Sequence, residues 1–121
     1  MAVACIGAPS GFRDALAPLP AGVRFSSRAV PGSDVIVLFS KRLTEVARRF
    51  PSLAAKLAPD GGLWVAYPKK SSGVATDLTF EAVQGIGLDA RLVDNKSCAI
   101  DDVWSAVRFV IRLSDRRSAS T

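Results

Sequence analysis

The chain has 121 residues, 49% of them apolar, with 16 Lys and Arg against 11 Asp and Glu, a formal charge of +5 and no histidine. That length fits one domain with a single continuous core, and the apolar share excludes global disorder. Without histidine, a Ser-His or Cys-His nucleophile pair is excluded and zinc loses its usual imidazole ligands, while no apolar run approaches the roughly 20 residues that span a bilayer.

Val3 to Gly7 is a compact apolar run that reads as a first strand, broken by Ala8-Pro9-Ser10-Gly11 and followed by a short helix around Phe12 to Ala17 that Pro18-Leu19-Pro20 stops. The same N-terminal stretch lacks the basic region and long apolar region of a signal peptide, which implies a cytoplasmic protein. Val23-Arg24-Phe25-Ser26 alternates as a half-buried or edge strand does, and Pro31-Gly32 breaks the chain after it. Val35 to Phe39 is a continuous β-branched and aromatic run, so a strand covered on both faces is expected there.

Ser40 stands at an N-cap position, and Leu43, Val46, Ala47 and Phe50 then recur at helical spacing with Lys41, Arg42, Glu45, Arg48 and Arg49 on the other face. Pro51 is expected to bend this helix or to start a second short one carrying Leu53, Ala54 and Leu57. Pro59-Asp60-Gly61-Gly62 reads as a turn into a central strand, Leu63 to Tyr67, which Pro68 ends. Thr76 or Asp77 is the expected cap of a further helix with Leu78, Val83 and Ile86 inward and Gly85 and Gly87 as stop signals. Leu88 to Cys98 and Trp104 to Leu113 form an extended pair joined through Asp101 and Asp102, which cap the turn. Ser105, Val107, Phe109, Ile111 and Leu113 share one face of the second run. Cys5 and Cys98, both in apolar stretches and without a Cys-x-x-Cys spacing, read as buried free thiols. Residues 1–113 make one Rossmann-like α/β domain, a three-layer sandwich whose mostly parallel sheet ends in an antiparallel β-hairpin, and residues 114–121 a flexible tail.

In an open α/β sheet ligands bind outside the C-terminal edge of the strands. Lys69-Lys70-Ser71-Ser72-Gly73 follows the central strand at that edge and brings cations, hydroxyls and a flexible backbone, the chemistry of an anion cradle. It is not a P-loop, since the lysines precede the loop. Gly7 and Gly11 after the first strand and Ser40 after the third rim the same crevice. No catalytic or metal-ligating set is present, and no cofactor is implied by the residues themselves. The pI near 9.8 permits an anionic partner, nucleic acid included, but no nucleic-acid motif accompanies it.

The order of strand, amphipathic helix, Leu57-Ala58-Pro59-Asp60-Gly61-Gly62 turn, strand, helix and hairpin resembles the C-terminal half of class I S-adenosylmethionine-dependent methyltransferases. More closely, WVAYPKKSSGVATDLT together with VDNKSCAIDDVWSAVRFV resembles a family of short bacterial proteins built on one domain of unknown function and similar in fold to those methyltransferases. The resemblance implies a glycine-rich cofactor loop after the first strand and a ribose-binding acid after the second. Gly7 and Gly11 match the loop, but Pro9 replaces its middle glycine, and Val23 to Arg28 contains no carboxylate. The expectation is therefore a non-catalytic module that binds a partner protein or a small anionic ligand at the C-terminal edge. A methyltransferase-like enzyme and a nucleic-acid-binding protein using Arg13, Arg24, Arg28, Arg48 and Arg49 are the alternatives.

Overall fold

The computed structural model describes residues 2–8, the backbone of 24–26, and residues 28–112. Six strands form one sheet: β1 (Ala2–Ile6), β2 (Arg24–Ser26), β3 (Ser33–Phe39), β4 (Leu57–Pro68), β5 (Leu92–Ala99) and β6 (Trp104–Ile111), in the order β2-β1-β3-β4-β6-β5. The first four run parallel, β6 is antiparallel to β4, and β5 is antiparallel to β6. This is the Rossmann-like α/β plan expected from the alternation of elements. The reversed strand, however, lies inside the sheet rather than at its edge. A helix is about 10 Å across and a strand about 4.8 Å, so the crossover from β4 places β5 two positions away, and the hairpin return fills the gap.

Helices α1 (Leu43–Ala54) and α2 (Phe80–Asp89) lie on one face. There the alternate residues Ile36 and Leu38, Leu63 and Val65, and Val107 and Phe109 meet Val46, Phe50 and Leu53 of α1 and Val83 of α2. The rings of Phe50 and Phe109 meet edge to face at 5.2 Å. Both rings are fully buried, so truncating either to alanine costs about 3–5 kcal/mol. On the opposite face Phe39, Ala66 and Ala106 are buried beside half-buried Val37, Trp64 and Trp104. The helix expected over Phe12 to Ala17 and the tail from Ser114 lie outside the described residues.

Several local expectations change. Pro51 does not split α1, which continues to Ala54. It faces solvent in the last turn, and the flanking Phe50 and Leu53 are anchored in the core. Pro59-Asp60-Gly61-Gly62 is not a turn before the strand but an outward excursion within β4: Leu57 already pairs with Ser33, and pairing resumes at Gly62 opposite Val35. Gly85 and Gly87 do not stop α2. Gly87 serves packing, because a Cβ there would lie 2.2 Å from the Phe109 ring. The helix ends instead at Ala90, and Arg91 turns the chain at φ 66°, so Leu88 and Asp89 are helical rather than extended. Between β2 and β3 the chain makes a tight turn, Val30 to Ser33, in which the Ser33 N–H donates to the Val30 carbonyl at 3.1 Å and Gly32 takes φ 82°. Pro31 followed by a positive-φ glycine is the residue order of a type II turn.

Candidate functional site

From β1 the chain leaves toward β2, whereas from β3 it leaves in the other direction toward β4. This change of direction makes the β1–β3 pair the switch point of the sheet, the place at whose C-terminal edge open α/β sheets bind their ligands. Gly7, the first residue past β1, is exposed there with φ 70°, and a Cβ on it would lie 2.9 Å from the Phe39 carbonyl oxygen. Glycine is thus required twice, once by the left-handed backbone and once by the close approach of the two strands.

Just past β3, Ser40 is 4% exposed. Its N–H continues the sheet by donating to Ala66 at 3.0 Å, and its hydroxyl accepts from the Arg42 N–H at 3.2 Å. Ser40 therefore shapes the turn into α1 rather than capping the helix. The N-cap position falls on Arg42, which contributes no side-chain bond. The cap comes from Asp77, whose carboxylate accepts from the Leu43 N–H at 2.7 Å, while the Thr76 hydroxyl donates to Lys41 at 2.8 Å. Thr76 and Asp77 thus serve α1 and not, as expected, their own helix. Thr79 caps α2, its hydroxyl accepting from the Ala82 N–H at 3.1 Å. Nothing local in the sequence marks a bond spanning more than 30 positions.

The Lys69-Lys70-Ser71-Ser72-Gly73 stretch stands beyond β4, toward the β5–β6 connection. Lys69 donates its N–H to Val103 at 2.7 Å and its ammonium to the Asp101 carbonyl at 2.6 Å. Lys70 to Ser72 form one 3-10 turn, closed by the Ser72 hydroxyl on the Lys69 carbonyl at 2.6 Å and by Gly73 at φ 78°. Lys70, Ser71 and Gly73 are exposed. Gly7 and Ser40 thus follow the neighbouring strands β1 and β3 and the lysine loop stands at another part of the edge, while Gly11 lies outside the described residues.

Beneath the loop is a cavity of about 330 Å³ bordered by Tyr67, Lys70, Phe80, Glu81 and Ser105. Burial pushes the Tyr67 phenol above its ordinary value, a hydrogen bond with Ser105 offsets part of this, and the Glu81 charge adds to the rise. At the hairpin turn, Asp101 accepts from the Trp104 N–H at 2.7 Å and the Val103 N–H at 2.8 Å. These donors, Trp104 first, hold its carboxyl below the usual range, with the Lys69 charge adding to them. It caps the turn, as its position between two strands implied. Cys5 is buried and in no disulfide, but Cys98 is exposed. The apolar stretch around Cys98 belongs to edge strand β5, whose register shifts between Asp94 and Lys96 and whose residues from Asn95 to Ala99 face solvent. Among the described residues no group of three or more acidic or cysteine side chains could hold a metal, and no helix is long and apolar enough to cross a membrane.

No protein-family model and no curated protein sequence matches the chain. Solved structures do. The mitomycin 7-O-methyltransferase MmcR aligns at TM-score 0.71 and 14% identity, over 92% of this chain and 49% of its own. An O-methyltransferase from neocarzinostatin biosynthesis, in complex with S-adenosylmethionine and a naphthoic acid, aligns at 0.68 and 14% identity over 92% and 49%. A S-adenosylmethionine-dependent methyltransferase from Aquifex aeolicus aligns at 0.68 and 13% identity over 93% and 82%. The chain thus spans about half the length of the first two. These findings overturn the expectation of a non-catalytic module that binds a partner protein or anion: these three structures, which share the plan, are methyltransferases, one of them in complex with S-adenosylmethionine. The fold is that of the class I S-adenosylmethionine-dependent methyltransferases.

Proposed function

We propose that the chain is a methyltransferase-like domain that binds S-adenosylmethionine in the crevice between the ends of β1 and β3. The observation that carries the reading is Gly7. Its positive φ and its approach to the Phe39 backbone leave a stretch of main chain bare of side chain where this fold binds ligands. Gly7 on one wall and the Ser40 to Arg42 turn on the other are the residues that would hold the cofactor. The exposed cations Lys41 and Arg42 suit the carboxylate of its amino-acid end. When bound, the group supplies an electrophilic methyl for transfer to a nucleophilic acceptor.

One part of the chain departs from this fit, for Arg24 to Arg28 offers no carboxylate to accept from ribose hydroxyls. A hydrogen bond to a charged group is worth about 1.5–3 kcal/mol, so affinity should be roughly ten- to a hundredfold below that of a site that has one.

Titration calorimetry with S-adenosylmethionine and S-adenosylhomocysteine tests the reading. A saturable one-to-one heat and a rise in melting temperature with ligand support it, since a ligand that binds only the folded state stabilises that state. No heat and no thermal shift at millimolar ligand would overturn it.

A further inference from the structure

The cavity beneath the lysine loop, of about 330 Å³, is a meeting point of four parts of the chain that cofactor binding at the β1–β3 switch point does not use. The end of β4 supplies Tyr67, the loop Lys70, the start of α2 Phe80 and Glu81, and the start of β6 Ser105. The loop above it is held at both ends. Lys69 is bonded to the hairpin turn through its N–H and its ammonium, and Thr76 and Asp77 are bonded to the start of α1. Bonds made outside the cavity thus fix its rim.

The lining combines three kinds of surface. Leu78 is buried and apolar, and it stands with the half-buried ring of Tyr67 and the partly exposed ring of Phe80. The Ser105 hydroxyl donates to the Cys98 carbonyl at 3.2 Å, and the Tyr67 phenol is hydrogen-bonded to Ser105 and stays neutral because burial pushes its pKa up. Charges of both signs complete the border. Lys70 and Glu81 are exposed, both line the cavity, and they are not bonded to each other among the described residues.

This charge pattern discriminates between ligands. A simple anion drawn to Lys70 would meet the Glu81 carboxylate, and a simple cation drawn to Glu81 would meet the Lys70 ammonium. A ligand carrying both signs gains at both places. The volume lies at the small end of the range for ligand sites, in which apolar walls hold the body of the ligand and a few polar groups fix its orientation.

We infer that this cavity binds a small zwitterion with an apolar body, an amino acid with a large apolar side chain, its carboxylate at Lys70, its ammonium at Glu81 and its side chain against Tyr67, Leu78 and Phe80. The inference does not rest on S-adenosylmethionine binding at the switch point.

The test is a titration of the 15N-labelled full chain with phenylalanine, followed by amide shifts, with phenylpropionate, which lacks the ammonium, and phenethylamine, which lacks the carboxylate, as comparison arms. Saturable shifts centred on Tyr67, Lys70, Phe80, Glu81 and Ser105, with phenylalanine bound roughly tenfold or more tighter than either analogue, support the inference. Lys70→Gln should erase the advantage over phenethylamine and keep that over phenylpropionate, and Glu81→Gln should do the reverse. The analogue comparison in the wild-type chain decides the matter even if a variant folds poorly. Phenylalanine bound no tighter than its analogues, unsaturable shifts, or unchanged selectivity in folded variants would each overturn the inference. So would shifts centred on Gly7 and Ser40 that S-adenosylmethionine competes away, since they would place the amino acid at the cofactor site.

Discussion

Two parts of the C-terminal edge invite comparison: the lysine-serine loop after β4 and the bare glycine after β1. The loop holds most of the reactive-looking chemistry of the edge, yet much of it is engaged within the protein. Lys69 is bonded to the hairpin turn, Ser72 closes its own 3-10 turn, and Thr76 and Asp77 tie the following segment to the start of α1. Gly7 contributes no functional group at all. It contributes space and an unusual backbone angle at the point where the strand connections diverge. A polar loop can be rich in donors because it has many bonds of its own to satisfy. A ligand site in this kind of fold is made by topology and by what the backbone leaves uncovered.

Breaking the glycine side of that comparison should have the largest effect. Gly7→Val places a β-branched residue at φ 70° with its Cβ 2.9 Å from the Phe39 oxygen. The left-handed backbone alone costs about 1–2 kcal/mol for a non-glycine residue, and the steric contact adds to it. Urea unfolding should show a loss of about 2–3 kcal/mol. Calorimetry should show no cofactor binding even at temperatures where the variant is fully folded. Retained binding in a folded Gly7→Val protein would place the cofactor elsewhere.

On the loop side the effects should be smaller and structural. Asp77→Ala removes the acceptor for the Leu43 N–H and should cost about 0.5–2 kcal/mol, the usual value of a lost cap, with faster amide exchange in the first turn of α1. Lys69→Ala and Lys70→Ala should each change stability by less than about 0.5 kcal/mol and leave cofactor affinity as it was. A large loss of affinity from either lysine would return the loop to the binding site.

The sheet was legible in the sequence wherever burial imposed a pattern. Val35 to Phe39 had to be a strand because five apolar residues, three of them β-branched, have no helical spacing, and Ser105, Val107, Phe109 and Ile111 had to share a face because of the two-residue period. Capping was legible only where it was local: Asp101 binds residues two and three positions on, but Asp77 binds one 34 positions away. Glycine was ambiguous for a related reason. Gly87 looks like a stop signal by composition, and only the Phe109 ring against its backbone shows that it is a contact. The exposure of Cys98 was hidden because an apolar stretch does not say whether its strand is central or at an edge.

The smallest effect tests whether the loop is anchored by charge or by shape. The Asp101 carboxylate receives the Trp104 and Val103 N–H groups and lies near the Lys69 ammonium, all of which favour its ionised form in the folded protein. Its folded pKa is therefore below the value of about 3.9 found in an unfolded chain. A depressed carboxylate contributes stability that is fully present above the unfolded value and lost as the pH falls through the folded one. Asp101→Asn keeps an oxygen that can accept both N–H groups but removes the charge. The variant should be slightly less stable than the wild type at pH 7, and the difference should shrink between pH 5 and about pH 3 as the wild-type carboxyl takes up its proton. Urea midpoints of the two proteins at several pH values, with amide exchange at Val103 and Trp104, measure this. If the difference does not change with pH, the turn is held by the shape of the acceptor alone, and the Lys69 ammonium is bound there for its hydrogen bond to the Asp101 carbonyl and not for the neighbouring charge.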